Sequence, residues 1–201
     1  MQTSERDDAT AEIRVVPVAE VPWADVRAVF GVRGDPATCW CQWFKLSGTG
    51  WRDADAGACE SALREQTEHG PGPGLVAYLD DEPVGWVAVE PRPAYPRLRT
   101  TRVVAKGSTE SQDDPSVWSV TCFVVRVGFR RRGIGAALLR AAVAHAEASG
   151  ARVLEGYPVD PTEKKASAAA LYHGALSPFL AEGFEIVSRP ETGRAVVRLA
   201  F

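Results

Sequence analysis

The stretch FRRRGIGAALL, Phe129 to Leu139, sets three arginines before two glycines and an apolar run of helical character. The first amides of a helix lack carbonyl partners, and its dipole adds roughly half a positive charge there. Glycine accepts positive φ and lets a ligand approach without meeting a Cβ. Arginine grips phosphate oxygens with two parallel N–H groups. Arg130, Arg131, Arg132, Gly133, Ile134, Gly135 and Ala136 therefore read as an anion site, better suited to a pyrophosphate than to one carboxylate.

The elements that must position this turn are legible on both sides. VWSVTCFVV, Val117 to Val125, is nearly continuous and β-branched, as a central strand buried on both faces should be. The helix after the turn is expected from about Gly133 to Ser149, with Gly150 at its C-cap. Upstream, Ile13 to Val16 reads as a strand, and Pro22 opens a helix that Gly31 and Gly34 close. Gly57 to Glu68 reads as a second helix. LVAYLDDEPVGWVAVE is a hairpin turning at Asp80, Asp81 and Glu82. A proline-containing connection, partly helical, leads to the central strand. Downstream come the strand ARVLEGY, a helix from Ala166 to Glu182 in two pieces with Ser177 as a fresh N-cap, and a closing hairpin, FEIVSR and RAVVRLAF.

With 201 residues, 45% hydrophobic and 24% charged, the chain has the length and make-up of one water-soluble mixed α/β domain. Residues 13–201 are expected to form it, behind a flexible tail of residues 1–12. A net charge of -3 argues against a nucleic-acid partner. No signal peptide is visible, and no apolar run approaches the roughly 18 to 20 residues of a membrane span, so the expected location is cytoplasmic. Cys39, Cys41, Cys59 and Cys122 show no metal-ligand spacing with His69, His145 or His173; buried thiols, and no metal, are expected.

A Walker-type loop would need Gly-Lys-Ser/Thr, which is missing. A dinucleotide fingerprint would use Gly133 and Gly135, with Glu155 near the ribose-binding position, but Leu138 stands where its third glycine belongs. The better match is Arg130-x-x-Gly133-x-Gly135 between a strand and a helix of about four turns, followed by a strand, a helix and Gly183-Phe184. This resembles motif A of the GNAT superfamily of acyl-CoA-dependent N-acetyltransferases. The likeness spans Ile13 to the C-terminus in element order, and mainly Val117 to Val187 in residue detail.

The resemblance implies a GNAT fold, a mixed and mostly antiparallel α/β sheet splayed at the motif-A strand and flanked by helices. It implies acetyl-CoA as co-substrate and transfer of the acetyl group to a primary amine by direct attack on the thioester. The pyrophosphate would lie on the backbone N–H groups of the turn from Arg131 to Ala136, and the pantetheine arm would pair with the main chain of Val124 and Val125, one of which would also stabilise the developing oxyanion. Glu90 or Glu155 would serve as general base. Many relatives carry a tyrosine acid four residues before the GF glycine; here that position is Phe179, so either Tyr172 or Tyr157 would substitute or the coenzyme thiol would leave unaided as thiolate. Without an acid, the alternative is a GNAT-fold module that holds acyl-CoA and turns over weakly or not at all. Trp40, Trp43 and Phe44 could wall the acceptor. The basic stretch RPAYPRLRTTR would meet either an acidic substrate or the coenzyme's 3′-phosphate. A homodimer is compatible with this reading.

Overall fold

The computed structural model describes residues 12–70, 72–163, 167 and 170–201. The expected N-terminal tail lies outside the described residues except for Glu12, as does part of the helix expected from Ala166. One sheet of seven strands organises them: β1 (Ile13–Pro17), β2 (Gly74–Leu79), β3 (Glu82–Pro91), β4 (Val117–Val125), β5 (Val153–Gly156), β6 (Glu185–Glu191) and β7 (Arg194–Ala200). Their order in space is β1-β2-β3-β4-β5-β7-β6, and only β4 and β5 run parallel. The sheet is therefore mixed and mostly antiparallel, as expected. The final hairpin enters by its second strand, so β7 lies between β5 and β6.

Seven α-helices flank the sheet among the described residues: α1 (Trp23–Phe30), α2 (Gly34–Cys39), α3 (Gly48–Asp53), α4 (Ala56–Thr67), α5 (Arg102–Gly107), α6 (Ile134–Ala148) and α7 (Leu176–Ala181). None is long and apolar enough to cross a membrane. Gly34 starts α2 rather than ending α1, and α3 was not visible in the sequence. It is short and glycine-containing, and it starts on Ser47, whose hydroxyl accepts from the Gly50 amide at 3.2 Å. Ser177 is not an N-cap: α7 begins one residue earlier, behind Ala175, and Pro178 sits within its first turn, where a missing N–H costs nothing.

On one side of the sheet, α6 buries Ile134, Leu138, Leu139, Ala142 and Ala146, a helical stripe packed on the apolar face of β2 to β4. On the other side α1 and α4 cover Val76, Tyr78, Trp86 and Val124. The decisive feature is where β4 and β5 stop pairing. Val117 to Val120 match Val153 to Gly156, and there the ladder ends. Beyond it the chain passes Pro158, and Val159 bridges Ala175 and Arg194 instead. A 3-10 turn, Ala170–His173, packs on β4 in the fork this leaves.

Phe179 of α7 holds the fork open. It is 1% exposed and meets Phe123 and Phe184 edge-on at 6.0 and 5.1 Å. A Cβ on Gly156 would lie 2.3 Å from its ring, so glycine at the end of β5 is what admits the wedge. Gly156→Ala is expected to destabilise the fold by about 1–3 kcal/mol through overpacking, read as a lower midpoint in urea with the slope unchanged.

Candidate functional site

The turn after β4 adopts the backbone that its glycines allow. Arg131 has φ +63° and Gly133 φ +80°, and Gly133 caps α6 with no side-chain hydrogen bond to the first-turn amides. The amides of Ile134, Gly135 and Ala136 thus sit at a helix start that the protein does not cap with a side chain. A Cβ added at Gly135 would meet nothing within 4 Å. Space beside a bare helix N-terminus is where a phosphate can come close. Arg131, Arg132 and Gly133 are exposed, as is Arg130, whose Nε donates to the Val125 carbonyl at 3.3 Å.

That bond also reports which way β4 points its main chain. The Arg126 amide donates to Val84 across the β3 pairing at 3.0 Å. Antiparallel residues alternate, so Val124 is directed at Trp86 on β3, while Val125 and Phe123 face the fork. The sequence named Val124 and Val125 together; the register separates them and adds Phe123. Thr121 stands unpaired in a bulge between Cys122, opposite Ala88, and Val120, opposite Val89. Among the described residues, Thr121 to Val125 make no backbone hydrogen bond on the fork side.

Two cavities open on the two faces of this stretch. The first, about 260 Å³, is lined by Phe123, Val125, Arg130, Gly135, Ala136 and Leu139 on one side and by Leu171, Tyr172, Pro178 and Phe179 on the other. The second, about 370 Å³, is lined by Thr121, Cys122 and Val124, by Cys39, Cys41, Trp43, Phe44 and Trp51, and by Asp35, Tyr172 and His173. Tyr172 belongs to both. Burial first, then the nearby Asp35 carboxylate, raises its phenol above the usual range, and Arg130 pulls the other way. The hydroxyl therefore keeps its proton at neutral pH.

The aromatic wall differs from the expected one in a single member. Trp40 is 3% exposed and stacks between Trp23 and Phe30 at 5.8 and 4.9 Å, so it belongs to the core. Trp51 takes its place, edge-on to Trp43 at 4.9 Å. Burial lifts the Cys39 thiol to about 12 and Cys41 well above its usual value, so both line the cavity as neutral groups. Among the described residues, no three His, Cys, Asp or Glu side chains are grouped to hold a metal ion.

The two carboxylates expected as bases are committed elsewhere. Glu155 is fully buried 3.2 Å from Arg92, and its oxygens accept from the Ser108 hydroxyl at 2.9 Å. Burial raises its carboxyl despite the Arg92 charge. It lines neither cavity, and neither does Tyr157, whose hydroxyl is within 2.9 Å of Ser119. Glu90 is ion-paired with Lys45 at 2.5 Å and is likewise outside both linings.

Sequence reasoning considered His173 only as a metal ligand. It lies beside Thr121 in the second cavity with its ring 5.7 Å from Phe44, and its Nδ1 is buried without a partner among the described residues. Burial, reinforced by Arg194, pushes its pKa down to about 4, which leaves the ring neutral with a free lone pair. The signal was present only as a histidine beside Tyr172; its burial depends on chain segments far away.

A family model described as acetyltransferase (GNAT) family matches residues 40–174. Among solved structures, an N-acetyltransferase from Staphylococcus aureus Mu50 is similar at 12% identity and TM-score 0.56, over 94% of this chain and 99% of that one. The PaiA N-acetyltransferase of Thermoplasma acidophilum, solved in complex with coenzyme A, is 12% identical with TM-score 0.51, over 94% and 99%. Salmonella typhimurium yncA, solved with acetyl-CoA, is 14% identical with TM-score 0.53, over 94% and 93%. At these identities the likeness is one of fold. No curated protein sequence matches the chain.

The depressed His173 pKa has a consequence for stability. Below about pH 6.5 the unfolded chain protonates this ring while the folded one does not until about pH 4, so stability is lost as pH falls across that window. The urea midpoint of His173→Gln is expected to fall less than that of the native chain between pH 6.5 and 4.5. Parallel falls in the two proteins would contradict the assignment.

Proposed function

The chain belongs to the GNAT acetyltransferase family, and from that premise we propose that it transfers an acetyl group from acetyl-CoA to the nitrogen of a primary amine. The observation that carries this reading is the pair of cavities on opposite faces of the open β4 edge, joined at Tyr172. The first takes the coenzyme and the second the amine.

The residues present fit acetyl-CoA. The uncapped amides of Ile134, Gly135 and Ala136, with Arg130, Arg131 and Arg132 around them, would bind its pyrophosphate, and the space over Gly135 admits it. The main chain of Val125 and Phe123 would pair with its arm. Acetyl-CoA supplies an acyl thioester for direct attack by the amine. Holding both partners across one strand supplies proximity and orientation. The Val125 N–H, directed at the fork, is placed to stabilise negative charge on the acyl oxygen. The protonated Tyr172 hydroxyl, at the junction, would donate to the departing sulfur. His173 would receive the amine's proton, which attack makes acidic enough for a weakly basic ring.

Phe179 favours a second reading, in which the fold holds acyl-CoA without turnover, because a buried phenyl group stands where many relatives carry the acid. Thiol release with a panel of amines separates the two. Tyr172→Phe is expected to lower kcat about 100-fold with little change in affinity for acetyl-CoA. An unchanged kcat would place the acid elsewhere.

Gly135→Val tests the coenzyme site. Its side chain would enter open space, so the fold should persist while acetyl-CoA affinity falls by about tenfold or more in calorimetry. Full affinity in a normally folded variant would remove the pyrophosphate assignment.

A further inference from the structure

A third cavity, about 390 Å³, adjoins the second and shares Trp43, Phe44 and His173 with it. Its other walls are of a different character. Arg97, Arg102 and Arg194 line it together with Thr100 and Thr101, and among the described residues no carboxylate does. Arg102 has an anionic partner, Glu191, at 2.8 Å. Among the described residues Arg97 and Arg194 are in no ion pair.

Both unpaired guanidinium groups are partly buried and held in place. Arg97 donates from Nε to the Leu46 carbonyl at 3.0 Å and from one Nη to Ser47 at 3.1 Å, and lies over the Trp43 ring at 4.0 Å. Arg194 donates from Nη2 to the Tyr157 carbonyl at 3.0 Å, while its Nε is buried with no partner. Burial lowers both pKa values, and for Arg194 it outweighs the opposing pull of Glu191 across the β6–β7 hairpin. Buried charges are ordinarily paired, and an orphaned donor on a charged group is costly.

We infer that the acceptor carries an anionic group, a carboxylate or a phosphate, that docks between Arg97 and Arg194. This deepens the transferase reading and rests on the second cavity being the amine site. The amine would reach Thr121 and Cys122, an apolar or aromatic body would lie along Trp43 and Phe44, and the anion would occupy the arginine-lined end. The coenzyme's own phosphates do not explain these arginines: the third cavity shares no residue with the first, which holds the glycine turn.

Three matched amines test this: phenethylamine, 4-(2-aminoethyl)benzoate and tyramine O-phosphate, titrated calorimetrically into the protein saturated with coenzyme A. At least one anionic amine is expected to bind about tenfold or more tightly than phenethylamine, as charge-assisted hydrogen bonds should provide. The carboxylate and phosphate arms distinguish the two anions. In Arg97→Gln that ratio should fall toward one. In Arg194→Lys, which keeps the charge but loses the Nε donor, it should fall partway.

Equal affinities for all three amines, or no binding of any, overturn the inference, as does a full ratio in folded Arg97→Gln. Thiol release from acetyl-CoA, followed in parallel, keeps the two claims apart. A binding preference without turnover upholds the anion site and sinks the transferase reading. Turnover of phenethylamine without preference does the reverse.

Discussion

β4 has two hydrogen-bonding edges, and the sheet uses only one of them throughout. β3 pairs with β4 from Trp118 to Val125, broken only by the bulge at Thr121, but β5 leaves after four residues. Had the parallel ladder continued, Phe123 and Val125 would have spent their main-chain groups on β5, and the cavities on the two faces would have closed. An exposed strand edge ordinarily invites another chain to add to it. Here the 3-10 turn Ala170–His173 packs on β4 in the fork. The rest of the site follows: α6 begins beside the end of β4, and its uncapped amides stand at the mouth of the same fork.

The arginines show how burial, rather than residue type, assigns roles. Arg92 is fully buried with Glu155 and belongs to a network that ties the β3–β4 connection to β5. Replacing one partner of such a pair would strand the other's charge, at a cost of about 3–5 kcal/mol. Arg130, Arg131 and Arg132 stand in solvent around glycines and are free to meet a ligand. Arg97 and Arg194 lie between these extremes, too buried to be surface decoration and too poorly paired to be scaffold.

What the sequence disclosed was local. The central strand from Val117 to Val125 appears with those bounds, and the glycine turn, the helix behind it and the hairpin at Asp80 and Asp81 lie where residue patterns put them. Each is governed by neighbours a few residues apart. The misreadings share an opposite cause. Glu155 looked available because Arg92, which neutralises it, lies across the sheet. Trp40 looked like a cavity wall because its stacking partners, Trp23 and Phe30, come from α1. His173 owes its neutral character first to burial and then to Arg194, which β7 brings from far along the chain. The insertion of β7 between β5 and β6 is a long-range pairing that no local pattern encodes.

Phe179 ties these threads to the chemistry. Its ring packs edge-on against Phe123 and Phe184, close to Gly156 and Gly174, and holds β5 away from β4. A hydroxyl there would need a partner within a nearly closed aromatic cluster. Tyr172, on the same wall of the first cavity as Phe179, is a phenol that reaches both cavities. Its segment is tied back to the sheet through Val159, which bridges Ala175 and Arg194. Tyr172, which lines both of the first two cavities, and Arg194, in the wall of the third, thus hang from the same short stretch beyond β5.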